Sequence, residues 1–114
     1  MDGMILDAEW RMNEGSQLRI RPPEGFPDEI RAVARELTEF YTKPEFRNQG
    51  MGRELMEKVC KEADEAGFAL IIHVKPEDET TEKVRLQKFY AKFGFAVFQM
   101  NPLLMCRVAK GSAH

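Results

Sequence analysis

The chain is short of most features that would assign a function at sight. Its longest apolar run is Phe68–Ile72, far below the roughly 20 residues that a membrane-spanning helix needs. It has no excess of one charge, since 17 Lys and Arg stand against 19 Asp and Glu for a net charge of −2. A balance of that kind carries no electrostatic footprint for nucleic acid or an anionic membrane, so neither is expected as a partner. Only two cysteines occur, Cys60 and Cys106, without metal-like spacing. They read as small buried hydrophobes in a reducing compartment, and no metal site is expected. Residues 1–15 intersperse Asp2, Asp7, Glu9 and Glu14 among the apolar ones, unlike a secretory leader. No repeat or low-complexity segment is visible. The expectation is a cytoplasmic protein whose 114 residues form one domain, 1–114, around one core.

What is present is patterning. Met4–Met12 and Gln17–Arg21 read as strands around the turn Asn13–Ser16, whose Asn and Gly tolerate positive φ. Three prolines between Pro22 and Pro27 make a loop, and Pro27–Arg35 suits a short helix or turn. Thr38, Phe40, Tyr41 and Thr42 favour a strand over Glu36–Thr42. Gly50–Ala66 is the clearest helix, with Met51, Leu55, Val59 and Ala63 recurring every four residues beside Met56 and Cys60. Its polar face offers Glu54–Lys58 and Glu57–Lys61 as i,i+4 pairs, and Gly67 ends it. Phe68–Val74 reads as a strand covered on both faces. Lys75–Thr81 is a polar loop, with Thr80 or Thr81 as the cap of a second helix carrying Leu86, Phe89, Tyr90 and Phe93 and ending at Gly94. Phe95–Met100 and Leu103–Val108 read as a closing hairpin around Asn101-Pro102. The fold class is therefore α/β, with a mixed sheet.

Two segments carry chemistry. Arg47-Asn48-Gln49-Gly50-Met51-Gly52 is a glycine-punctuated turn running from a strand into an amphipathic helix. Such a turn leaves backbone N–H groups without internal partners at the positive end of the helix dipole, a site for an anion and most often a phosphate. About 40 residues on stands Phe89-Tyr90-Ala91-Lys92-Phe93-Gly94-Phe95. Alone, the first could be a tight turn and the second a core aromatic helix end.

In this order, with an apolar strand between them and a hairpin after, they resemble the GNAT superfamily of acyl-CoA-dependent N-acyltransferases. Arg47–Gly52 matches the family's Gln/Arg-x-x-Gly-x-Gly/Ala loop, Lys43-Pro44-Glu45-Phe46 matches the approach to it, and Phe89–Phe95 matches the later aromatic pair followed by x-Lys-x-Gly-Phe. The likeness covers about residues 36 to 108. It implies a GNAT-like fold with a shortened N-terminal part, acetyl-CoA as cosubstrate, no metal, and an N-acetyltransferase acting on a primary amine of a small molecule or a protein. By the same resemblance the diphosphate would sit on the amides of Asn48, Gln49, Gly50, Met51, Gly52 and Arg53, with Arg47 and Arg53 adding charge. Gly50 and Gly52 would let the backbone approach phosphate oxygens that a Cβ would meet. The pantetheine arm would pair with the backbone of Phe40, Tyr41 and Thr42, where this strand and Phe68–Val74 splay apart. A backbone N–H near Thr42 would hold the oxyanion. Tyr90 matches the tyrosine that protonates the leaving thiolate. His73 stands where many members have a glutamate base; an imidazole titrates near neutrality and suits that role, although a strand-end histidine facing solvent is the plainer reading.

Two departures limit the carry-over. Lys83 replaces a cofactor-contacting asparagine, and lysine accepts no hydrogen bond but can meet a phosphate as a point charge. The loop Lys75–Glu82 is longer and more acidic than is common, with Glu77, Asp78, Glu79 and Glu82. Members usually carry more chain before the first hairpin, and it forms much of the acceptor wall. Here the acceptor site would be open, or closed by a second copy in a homodimer. The competing reading is a degenerate module that binds coenzyme A without acylating anything.

Overall fold

A computed structural model describes residues 9–46, 49–74 and 81–110. Six strands form one sheet in the order β1-β2-β3-β4-β6-β5. β1 (Glu9–Met12) and β2 (Ser16–Arg21) make the expected hairpin; the residues before Glu9 lie outside those described. β2 alternates buried and half-buried positions along its length, which is the period of a strand with one face on a core. α1 (Asp28–Val33) is a single short helix that buries none of its residues.

β3 (Ala34–Thr42) starts two residues earlier than its β-branched content predicts. The reason is tertiary, because Ala34 and Arg35 pair with Ala69 and Leu70 of β4 (Ala69–His73). That β3–β4 ladder is parallel; the other ladders are antiparallel. α2 (Met51–Ala66) makes the crossover between them, the connection that a parallel pair requires. α3 (Thr81–Ala91) follows β4, and β5 (Ala96–Gln99) and β6 (Leu104–Arg107) close the sheet. Lys75–Thr80 lies outside the described residues, including the acidic Glu77, Asp78 and Glu79, and the side chains of Thr81 and Glu82 are not described either.

Both longer helices cover the same face of the sheet. Leu55, Met56, Val59, Cys60 and Ala63 of α2 join Leu18, Ile20, Leu37, Leu70, Ile72 and Met105 in one cluster, which Tyr90 completes from α3. The exposed side of α2 differs in detail from the expected pairing. Glu57 meets Arg53 at 3.3 Å rather than Lys61, and Glu54 meets the Asn13 amide at 3.4 Å. Pairs at such exposed sites contribute only a few tenths of a kcal/mol.

By strand alternation the opposite face carries Trp10, Arg19, Arg21, Glu36, Thr38, Ile71, His73, Leu104 and Cys106. Ile71 is buried there, so β4 is covered on both faces as its apolar run implies.

Candidate functional site

The glycine loop follows β3 directly. A short 3-10 turn, Pro44–Phe46, leads away from the strand, and Gly50 then takes a left-handed conformation (φ 80°) to start α2. Among the described residues no side chain caps this helix, since Gly50 at the cap position has none to offer. Its first internal hydrogen bond is Glu54 N–H to the Gly50 carbonyl at 2.9 Å. The amides of Met51, Gly52 and Arg53 therefore precede the helical ladder at the positive end of a sixteen-residue helix. Arg47 and Asn48 lie outside the described residues.

The two glycines have different reasons. Gly50 has open space where a Cβ would be, and only its positive φ calls for glycine. Gly52 faces inward, where a Cβ would lie 3.0 Å from Thr42 Oγ1 and 3.1 Å from the Phe40 ring. Packing of α2 against β3 is thus a reason of its own for glycine at this position.

That packing brings Phe40 and Thr42 beside the helix start. The last β3–β4 register pair is Leu37–Ile72, and β3 then runs on to Thr42 while β4 stops at His73. Along this extension β3 carries a bulge opposite Gln17–Arg19, with Glu39 at φ 55°. A left-handed glutamate is uncommon, and the irregularity re-aims the strand where it leaves β4. The Glu39 carboxylate sits 3.5 Å from Arg19 on the face away from α2.

Tyr90 lies across from Phe40 on the helix side. It is only 5% exposed and packs against Phe40, Phe89 and Phe95, with ring centroids at 6.4, 5.3 and 5.9 Å. Burial pushes its phenol up to about 12. Its hydroxyl makes no hydrogen bond among the described residues.

The sequence signature around Tyr90 has a physical reading. Phe95 N–H bonds to the Tyr90 carbonyl at 3.3 Å and Gly94 N–H to the Ala91 carbonyl at 3.0 Å, with Gly94 at φ 96°. This is a Schellman stop, including the apolar contact between its ends that Tyr90 and Phe95 supply. α2 ends in the same way, with Phe68 N–H on the Ala63 carbonyl (2.9 Å) and Gly67 N–H on that of Asp64 (3.3 Å).

The site residues named from the sequence thus fall into two groups. Gln49–Arg53, Phe40, Thr42 and Tyr90 gather on the helix side, and Lys83 stands in the first turn of α3. Tyr41 is half exposed, and by register its side chain points to the opposite face with Gln17. His73 is there too, paired with Leu104 at the end of β4. The sheet therefore separates His73 from Tyr90.

Sequence reasoning missed the strongest polar network. Arg107, 4% exposed, forks onto both Asp64 oxygens at 2.9 Å and donates from Nε to the Phe93 carbonyl at 2.6 Å, while Lys110 N–H reaches Asp64 at 2.8 Å. The Arg107 guanidinium holds the Asp64 carboxyl below the ordinary carboxylate range. Burial pushes the nearby Cys60 thiol up to about 11, so it is inert at neutral pH. Above this network a groove of about 530 Å³ runs between α2 and α3, with Arg53 (paired with Glu57), Lys61, Lys92 and Lys110 along it and Phe89 and Phe93 in its wall. Among the described residues no group of three or more His, Cys, Asp or Glu is placed to hold a metal ion, and no helix is long and apolar enough to cross a membrane.

A mixed sheet with a glycine-led helix after a strand that outruns its parallel neighbour is the arrangement that the GNAT resemblance implies. Residues 18–97 match the family model of the acetyltransferase (GNAT) domain. The chain belongs to the GNAT family of acetyltransferases. Among solved structures it is similar to the anti-CRISPR protein AcrVA5 (18% identity, TM-score 0.67), covering 89% of this chain and 98% of that one. It is similar also to an aminoglycoside 6'-N-acetyltransferase complexed with coenzyme A (14%, TM-score 0.63, 88% of this chain and 69% of that one). A third is the ribosomal-protein-S18-alanine N-acetyltransferase from Escherichia coli (15%, TM-score 0.59, 88% and 66%). The chain thus spans nearly all of the first and about two thirds of the other two. At these identities the likeness is one of fold. No curated protein matches the chain.

Proposed function

We propose that this protein transfers an acetyl group from acetyl-CoA to a primary amine, as one domain spanning the chain. The observation that carries the reading is the convergence of the uncapped α2 start, the β3 extension and Tyr90 on one side of the sheet. Amides from Gln49 to Arg53 suit a diphosphate, with Arg47 and Asn48 adjoining them in sequence. The cations along the α2–α3 groove and Lys83 supply further positive charge for phosphate groups. The backbone of Phe40–Thr42 suits the pantetheine arm as an added strand, and a backbone N–H near Thr42 suits the oxyanion. The thioester supplies the activated acyl group; the protein supplies orientation and proton handling.

Tyr90 serves the departing sulfur. Burial pushes that phenol up to about 12, so it holds its proton at neutral pH and can present it to the developing thiolate. We assign it the role of donor to the developing thiolate, through a hydrogen bond that strengthens as the C–S bond breaks. The amine approaches from the other face, which carries His73 at the end of β4 and Glu39 of β3, the latter beside Arg19 of β2. Either can take the ammonium proton, directly or through water.

Two measurements test the reading. Calorimetric titration with acetyl-CoA should show one site that a Gly50→Val substitution weakens, and thiol release should appear with some member of a panel of amines and peptides. Absence of binding would remove the acyltransferase reading. Binding without turnover on any acceptor would leave a coenzyme-A-holding module in its place.

A further inference from the structure

The two ends of the phosphate loop are tied to a single turn that neither sequence signature includes. Asn13 shapes that turn, its Oδ1 accepting from Gly15 N–H at 3.1 Å and Ser16 N–H at 2.8 Å. On the strand side, Gly15 accepts Lys43 N–H at 2.8 Å and Ser16 Oγ lies 2.7 Å from Thr42 Oγ1. Phe46 packs so closely over Gly15 that a Cβ there would come within 2.5 Å of it. On the helix side, Asn13 Nδ2 donates to the Met51 carbonyl at 2.9 Å and approaches Glu54 Oε1 at 3.4 Å. One side chain thus spends its acceptor on the turn that holds the loop entrance, and its donor on the first turn of the helix that holds the exit. A loop that binds anions through backbone amides depends on where those amides stand before the ligand arrives.

We propose that Asn13 is a positioning residue for coenzyme A, fixing the amides of Gln49–Arg53 without touching the ligand; the inference rests on the phosphate-loop reading above. Its donor also engages the Glu54 carboxylate, the acidic group in the first turn of α2.

The test is binding and steady-state kinetics of wild type, Asn13→Ala, Asn13→Asp and Arg11→Ala. Arg11 braces the same hairpin to α2 through Glu62 at 2.7 Å, but far from the loop, so its loss reports generic loosening. Asn13→Ala should raise the acetyl-CoA Kd and KM about five- to tenfold with kcat little changed, the scale of one lost hydrogen bond. Asn13→Asp keeps the turn acceptor but sets a second carboxylate beside Glu54, and should weaken binding further. Arg11→Ala should stay within about twofold of wild type, as expected for a site away from the contact. Wild-type affinity in either Asn13 variant overturns the proposal, as does an equal loss in Arg11→Ala. A wild-type protein that does not bind acetyl-CoA removes the loop reading itself, and this inference with it.

Discussion

Replacing Tyr90 by phenylalanine separates the chemistry of this site from its packing. The ring is held by Phe40, Phe89 and Phe95, and a phenyl group keeps all three contacts. The hydroxyl makes no hydrogen bond among the described residues, so its removal strands no described partner. Stability should therefore change by less than about 0.5 kcal/mol, or rise slightly as a buried polar atom is lost. The rate should behave differently. A donor aimed at developing charge in a water-poor site is worth roughly 10²- to 10³-fold in kcat, and Tyr90 is only 5% exposed. Because burial keeps the phenol protonated up to about pH 12, the wild-type rate should show no fall attributable to Tyr90 between neutrality and pH 10. Thermal melting measures the first quantity, and thiol release under saturating acetyl-CoA across that pH range measures the second. A variant with wild-type turnover would show that Tyr90 is only a core residue, and an alkaline decline that vanishes in the variant would contradict the assigned proton state.

Three further outcomes follow from the same geometry. Gly52→Ala gains about 1 kcal/mol of helix propensity but forces α2 off Thr42 and Phe40, so acetyl-CoA affinity should fall more than melting temperature does, as paired calorimetry and melting will show. Arg107→Met should destabilise by about 3 kcal/mol by leaving Asp64 and the Phe93 carbonyl without their partner. Since Asp64 titrates below its ordinary value in the fold, its share of stability is complete above the ordinary carboxylate pKa and is lost as pH falls through the depressed one. The gap between wild type and variant in denaturant titrations should therefore narrow in strong acid, and an unchanged gap would contradict the pairing. Substituting glutamine at both His73 and Glu39 should lower kcat by about 10²-fold, whereas a full rate in the double variant would place proton acceptance in solvent.

Local periodicity made much of the architecture legible. The four-residue recurrence from Met51 to Ala63 and the stops at Gly67 and Gly94 depend only on neighbours along the chain, and they stand where the sequence put them. Features that depend on distant residues were not readable. Arg107 meets Asp64 across 43 residues, and nothing in the sequence around either one names the other. Glu39 takes a glycine-like conformation because β2 and β3 are out of step by one residue, which the letters of β3 do not encode. At Gly52 the loop pattern did not reveal a second constraint, the close approach of the Thr42 and Phe40 side chains from the neighbouring strand. Asn13 looked like a turn residue and is one, but its reach to Met51 spans 38 positions.

The repeated helix stop changes what the later signature is worth as a diagnostic. Ala63-Asp64-Glu65-Ala66-Gly67-Phe68 has the spacing of Tyr90-Ala91-Lys92-Phe93-Gly94-Phe95, with alanine where the phenol stands. Glycine and phenylalanine in that pattern record how a helix is brought to an end and turned back into the sheet. A distant chain retaining only those two letters would present the same backbone corner with nothing to offer a departing sulfur, so a search for active members should weight the aromatic hydroxyl and discount the rest.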